Sequence, residues 1–118
     1  MISQSVKVLD VNSVAVGELA VKSTVVSGAI RYTGYGTILI EGEGDVADIL
    51  ANITGASGGE IAVVRASDGT KTITVADTGN ILLAGDVDCL LAEDSDSITL
   101  QYVTSVGKWC ELSRMTKI

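Results

Sequence analysis

Apolar and polar residues alternate along much of this chain with the two-residue period of a pleated strand. In Thr72-Ile73-Thr74-Val75 the aliphatic residues point one way and the threonines the other. Ile98-Thr99-Leu100-Gln101-Tyr102 and Trp109-Cys110-Glu111-Leu112 follow the same rule. Thr37-Ile38-Leu39-Ile40 is a continuous apolar run and suits a central strand. Turn-forming clusters recur at roughly 8–12 residue intervals, as in sandwiches and barrels. They are Gly34-Tyr35-Gly36, Gly42 to Asp45, Gly55 to Gly59, Asp68-Gly69, Asp77 to Asn80, Gly85-Asp86, Glu93 to Asp96 and Gly107. The pattern predicts an all-β fold, a small sandwich or barrel of short antiparallel strands. Asp68-Gly69 between Ile61–Arg65 and Thr72–Val75 predicts one hairpin, and Gly107 closes a second. Residues 45–53 carry an acidic start and apolar residues at 46, 49, 50 and 53. That spacing fits a short helix with Asp45 as N-cap, and it fits a short strand almost as well.

Residues 1–35 differ from the rest. Val6, Val8, Val14, Val16, Val21, Val25 and Val26 are spread among Ser, Lys, Asp and Asn without compact turns. This segment reads either as strands of the same sheet or as an extended arm that pairs with a neighbouring subunit. Residues 36–118 read as a compact β domain. The start, Met1 to Lys7, lacks the basic-then-apolar order of a signal peptide. The Val-rich stretch from Val11 to Ile30 is broken by Asn12, Glu18 and Lys22, so no transmembrane helix fits it.

Composition sharpens this picture. Val, Ile and Thr, which pack well on a pleated surface, are abundant, and Pro is absent, so Gly, Asp, Asn and Ser must make the turns. Apolar residues make up 47% of only 118, a high share for a domain of this size to bury alone. Either the excess lies in ordinary strands or part of it is buried between subunits. The formal charge of −7 repels phosphate backbones and anionic headgroups, which argues against nucleic-acid and membrane partners.

Candidate chemistry is sparse. The chain has no histidine, which removes the commonest general base, the usual triads and His-containing zinc sites. Gly55-Ala56-Ser57-Gly58-Gly59 lacks the Lys of a phosphate-binding loop. Asp86-Val87-Asp88 and Asp94-Ser95-Asp96 resemble pieces of a Ca²⁺ loop, but neither has Gly at the sixth position. Turns made by Asp and Ser explain them better. The expectation is therefore no enzyme, no metal and no cofactor. Cys89 and Cys110 read as two buried thiols, with a single bridge left open. Tyr32 and Tyr35, in a Gly-rich turn, are candidates for glycan stacking or for packing at a strand end or subunit contact. Trp109 reads as a core anchor.

One ordered set of motifs stands out between residues 44 and 114. Asp48-Ile49 leads to Ile53-Thr54-Gly55, and Gly59-Glu60-Ile61 leads to Val64-Arg65. Ile73-Thr74-Val75 precedes Gly79-Asn80-Ile81 with Leu83. Gly85-Asp86, Asp96 to Tyr102 and Trp109-Cys110-Glu111-Leu112-Ser113-Arg114 follow. In this order the chain resembles a module of tailed-bacteriophage virion proteins, found in head-decoration (cement or head-fibre) and tail-fibre proteins. The resemblance implies a structural virion protein, foremost a capsid decoration or cement protein that stabilises the shell. It would be made in the host cytoplasm and act on the outer capsid surface. Its implied partners are the major capsid protein and two further copies in a homotrimer, with a monomer clamping two capsid subunits as the rival. The alternative is a tail-fibre or head-fibre module that attaches to a cell-surface polysaccharide. In this pattern Gly79 and Asn80 supply a tight turn, Trp109 fills the core, and Arg114 is a candidate interface residue that holds a carbonyl or carboxylate at a subunit contact.

Overall fold

A computed structural model describes residues 20–117. The chain is all-β there. Eleven short strands follow in order: β1 (Ala20–Thr24), β2 (Ala29–Arg31), β3 (Thr37–Glu41), β4 (Asp48–Leu50), β5 (Asn52–Thr54) and β6 (Ile61–Ala66). Then come β7 (Ile73–Val75), β8 (Ile81–Leu82), β9 (Cys89–Leu91), β10 (Ser97–Val103) and β11 (Lys108–Met115). A 3-10 turn, Ala84–Asp86, sits between β8 and β9.

The strands form a six-stranded sheet in the order β1-β3-β6-β10-β11-β8, a three-stranded sheet β4-β7-β9 and a two-stranded sheet β2-β5. The expected antiparallel pairing holds only where β10 meets β6 and β11, and where β7 meets β9. The other pairings are parallel: β1 with β3, β3 with β6, β2 with β5, β4 with β7 and β8 with β11. Parallel neighbours cannot be joined by a tight turn. The chain solves this by winding. After β3 it crosses to the three-stranded sheet for β4 and the two-stranded sheet for β5, then returns to lay β6 beside β3. The next circuit lays β7 beside β4.

One open alternative is decided and one expectation is corrected. Residues 45–53, which fit a short helix or a short strand, hold no helix; they carry β4 and most of β5. Three-residue strands satisfy their backbone groups against β7 and β2, which a helix of one or two turns would do poorly. Asp68-Gly69 does not close a hairpin either. β6 and β7 lie in different sheets, and the turn carries the chain between them. The amide N–H of Gly69 donates to the Asp94 carboxylate at 2.7 Å, and Lys71 N–H to the Asp68 carbonyl at 2.9 Å.

One core joins the sheets. Ile38, Ile40, Val64, Leu100 and Trp109 from the six-stranded sheet meet Leu50, Ile73, Val75 and Leu91 from the three-stranded sheet, and Ile30 and Ile53 from the third. Alternate residues point away from it, so both larger sheets keep an outward face. Within the N-terminal segment 1–35, residues 20–31 supply β1, β2 and the buried Val25 and Ile30. The remainder of that segment, residues 1–19, lies outside the described residues. No helix of the described residues is long and apolar enough to cross a membrane.

Candidate functional site

The residues singled out in the sequence fall into three places. The first centres on Trp109, which is fully buried. Its ring lies 5.4 Å from that of Tyr32 and 5.7 Å from that of Tyr102, tilted and edge-on, as aromatic quadrupoles prefer. Its indole Nε1 donates to the Ile53 carbonyl at 3.2 Å. Asn80 reaches the same residue. Its Oδ1 accepts the Ile53 N–H at 2.9 Å, and its Nδ2 donates to the Ile53 carbonyl at 2.6 Å. The Asn80 carbonyl accepts the Trp109 N–H at 2.7 Å. Gly79 makes this approach possible. Its φ of +57° suits glycine, and a Cβ there would run into the Ala51 carbonyl and the Asn52 side chain. Gly79, Asn80 and Trp109 are thus one architectural unit, which stitches the middle of β5 to β8 and β11.

The second place is Arg114. Residues opposite each other share a face, so Arg114, facing buried Ile98, points inward at the end of β11. Its Nε and one terminal nitrogen donate to the two Glu111 carboxylate oxygens, each at 2.8 Å. The fork also donates to the Asp88 carbonyl at 3.0 Å and the Val87 carbonyl at 2.8 Å. The sequence assigned Arg114 a carbonyl or a carboxylate; it holds both, within its own chain. The hydrogen bond from Arg114 holds the Glu111 carboxyl below its usual range, and Glu111 raises the Arg114 guanidinium in return. A pocket of about 340 Å³ opens beside this clamp, lined by Val87, Leu90, Ala92, Asp96, Arg114 and Thr116 with Asp88. Asp96, only 2% exposed, accepts the amides of Ala92, Glu93 and Lys117 at 2.9–3.0 Å. Burial opposes its ionisation, and those three amides outweigh burial and hold the carboxyl below its usual value.

The third place is the Gly34–Gly36 turn. Tyr35 is 42% exposed, whereas Tyr32 is packed on Trp109. The two tyrosines therefore do not form an exposed stacking pair. Tyr32 belongs to the core margin and Tyr35 to the surface.

No group of three or more His, Cys, Asp or Glu side chains among the described residues is arranged to hold a metal ion. Asp96 spends its oxygens on amides, as above, and Asp88 accepts the Asp77 N–H at 2.8 Å. Both cysteines are free. Cys89 is buried and Cys110 half-buried, and burial pushes the Cys89 thiol upward, toward its neutral form.

Sequence reasoning missed the exposed aliphatic rows. Ile49 and Leu90 flank Thr74 on the outward face of the three-stranded sheet. Ile61, Leu82, Leu112 and Met115 are exposed on the six-stranded sheet. Leu112 stands out because the register shifts there: Thr99 faces Ser113 and Leu100 faces Glu111, which leaves Leu112 as the extra residue of a bulge. A bulge has no signature in the alternation and could not be read from it. Compared with known proteins, the chain matches no family model and no curated protein.

Proposed function

We propose that this chain works by folding and associating rather than by catalysis, as a structural protein of a bacteriophage virion. Its specific role is that of a capsid decoration or cement protein, bound to the major capsid protein on the outer surface of the head, where it stabilises the shell. The observation that supports this reading most is the use made of the motifs. Gly79, Asn80, Trp109, Glu111 and Arg114, the most distinctive residues of the resembling set, all serve architecture. None is left presenting a reactive group. Large apolar side chains, Ile49, Ile61, Leu82, Leu90, Leu112 and Met115, remain exposed on the strands, which suits a surface that is covered in an assembly. A homotrimer accommodates such surfaces, since burial of Ile, Leu and Met drives association.

The test is direct. Purified protein is mixed with undecorated capsid shells of the phage that encodes it, and the pellet is analysed after sedimentation. Saturable binding in hundreds of copies per shell is the expected result, with the same copy number in purified virions by quantitative mass spectrometry. Absence of binding to shells overturns the decoration role. A few to a few dozen copies per virion replaces it with a fibre or tail component, and a glycan array then tests attachment to polysaccharide, with Tyr35→Ala as the control.

A further inference from the structure

Hydrogen-bond parity leaves a gap between the two larger sheets. Around β7, the Thr72 carbonyl accepts the Asp48 N–H at 3.2 Å and the Ala76 N–H donates to the Leu50 carbonyl at 2.9 Å. Even-numbered residues there turn their main-chain groups toward β4, so Ile73 and Val75 turn theirs toward β9. Their partners in β9 are Leu91 and Cys89. The main-chain groups of Asp88, Leu90 and Ala92 therefore point the other way, along the open edge of the three-stranded sheet. Two side chains close the ends of that edge. Arg114 donates to the Asp88 carbonyl at 3.0 Å, and Asp96 accepts the Ala92 N–H at 2.9 Å. Between them the Leu90 N–H and carbonyl find no partner among the described residues.

β11 has an open edge on the other side of the same gap. The Tyr102 N–H donates to the Glu60 carbonyl at 2.9 Å, so even-numbered residues of β10 serve β6, and Ser97 and Thr99 serve Met115 and Ser113 of β11. Arg114, between those two, turns its own main-chain groups away from β10. β8 does not cover it there, because β8 pairs only with Trp109 and Cys110. The cavity of about 340 Å³ has both Leu90 and Arg114 in its wall. That volume is at the small end for a ligand site; it suits a short extended segment and not a folded partner.

We propose that this gap is a strand-acceptor site, and that the chain's own segment 5–9, Ser5-Val6-Lys7-Val8-Leu9, fills it by pairing with Leu90 on one side and Arg114 on the other. Reach selects the segment. Register sets Ala20 level with Thr37, Val63, Thr99 and Ser113, so the chain enters β1 at the height of the gap. The gap lies five strand spacings from β1, about 24 Å along the sheet. The six steps from Val14 to Ala20 span at most about 20 Å, and the twelve from Val8 about 40 Å. Of the two alternating pieces before β1, Val6-Lys7-Val8 reaches and Val14-Ala15-Val16 does not. Alternation suits the place as well: Val6 and Val8 share one face, for the aliphatic wall of Val87, Leu90 and Ala92, and Lys7 takes the other, for water. The outer edge of β1 is nearer but mismatched. The Val25 N–H donates to the Glu41 carbonyl at 2.8 Å, so Val21 is likewise spent on β3, whereas a two-residue turn at Gly17-Glu18 needs Val21 as the hydrogen-bonded partner of Val14. A strand on that edge also pairs on one side only, and a strand in the gap pairs on both.

The proposal goes beyond the virion reading and concerns the free chain, so it stands or falls apart from capsid binding. Amide exchange of the full native chain, followed by NMR, tests it. The Leu90 and Arg114 amides exchange slowly, at rates that do not change on dilution. In Val6→Asp with Val8→Asp they exchange at least about tenfold faster, while Leu100, paired with β6, stays protected. Overhauser contacts between Leu90 and residues 5–9 accompany the protection in the native chain, and their absence overturns the proposal whether or not the altered protein folds. Fast exchange at Leu90 in the native chain overturns it too, as does equal protection in the two proteins. Protection that fades on dilution marks the segment of a neighbouring copy as the occupant and overturns the assignment to the chain's own.

Discussion

Asn80 stands in for a strand, and removing its amide measures what that is worth. β2 and β5 pair in parallel, and the next circuit offers Ile53 no backbone partner on its other edge. The Asn80 side chain supplies an acceptor for the Ile53 N–H and a donor for its carbonyl. Asn80→Ala leaves the Ile53 N–H unpaired beside the core, at about 1–3 kcal/mol. The carbonyl keeps its bond from the Trp109 indole, so loss of Nδ2 adds only about 1 kcal/mol. The sum is about 2–4 kcal/mol, or about 8–15 °C in Tm for a chain of this length. Asn80→Asp separates the two bonds. It keeps an acceptor for the N–H but, when ionised, turns a negative oxygen toward the Ile53 carbonyl. That raises the introduced carboxyl above its unfolded value of about 3.9 in the folded state. A raised acid is favoured in the fold when protonated, so the deficit against the native chain is smallest below about pH 4 and grows as pH rises through the folded value. Urea unfolding of the three proteins at pH 7 and pH 4 reads both effects. An Asn80→Ala cost under about 0.5 kcal/mol, smaller than one ordinary hydrogen bond, refutes the strand-mimic reasoning. So does an Asn80→Asp deficit equal at the two pH values.

Three further outcomes follow from the same contacts. Arg114→Lys keeps the charge but loses the fork that grips Glu111 and two carbonyls, and should cost about 1–2 kcal/mol in urea unfolding, with faster amide exchange around Val87 and Asp88; unchanged exchange there would remove the clamp. Glu60 is held at about 2, below its usual 4.5, chiefly by the amides of Ser57 and then Gly58. Its contribution to stability is present above pH 4.5 and is lost as pH falls toward about 2, so Glu60→Gln should flatten the acid limb of a circular-dichroism titration. Deleting residues 1–30 removes β1 and the buried Val25 and Ile30, and the truncated chain should lose its cooperative thermal transition rather than leave a folded core.

The class of fold was legible because alternation is a local property. Thr72–Val75 and Ile98–Tyr102 announce strands whatever they pair with, and the β10–β11 hairpin is announced by a short turn, where Gly107 has φ +73°. Trp109 and the Gly79-Asn80 turn were legible for the same reason. Pairing partners were not. β3 meets β6, and β4 meets β7, after a full circuit of the chain, and nothing near Thr37 or Asp48 encodes which strand will return beside it. The circuits leave no sequence repeat, because each needs only an aliphatic residue pointing inward, and Ile38 serves as well against Val64 as Leu50 does against Val75. Asp68-Gly69 misled because it satisfies a turn equally well whether the chain doubles back or crosses to another sheet. The helix-like spacing at 46, 49, 50 and 53 arose from the turn residue Val46 followed by two three-residue strands, β4 and β5, joined at Ala51.

The acidic balance carries the last step. Read as composition, the surplus of Asp and Glu suggests only a solvated surface. In the structure many of these carboxylates close turns. Asp48 accepts the Glu43 amide, Asp77 that of Leu83, Asp94 that of Gly69, Glu111 that of Ala84, and Asp96 three amides at once. A winding chain has many crossings between sheets, and at each one backbone N–H groups leave the ladder and need an acceptor. With no Pro to preset the turns, carboxylates meet that need. The negative charge therefore gathers at the crossings, including those around β9. The long strands of the six-stranded sheet, which satisfy one another, have no such demand, and their outward face keeps Lys22, Arg65 and Lys108 with a single carboxylate. The acidic surplus is thus in good part a consequence of how the backbone is satisfied where the chain passes from one sheet to another.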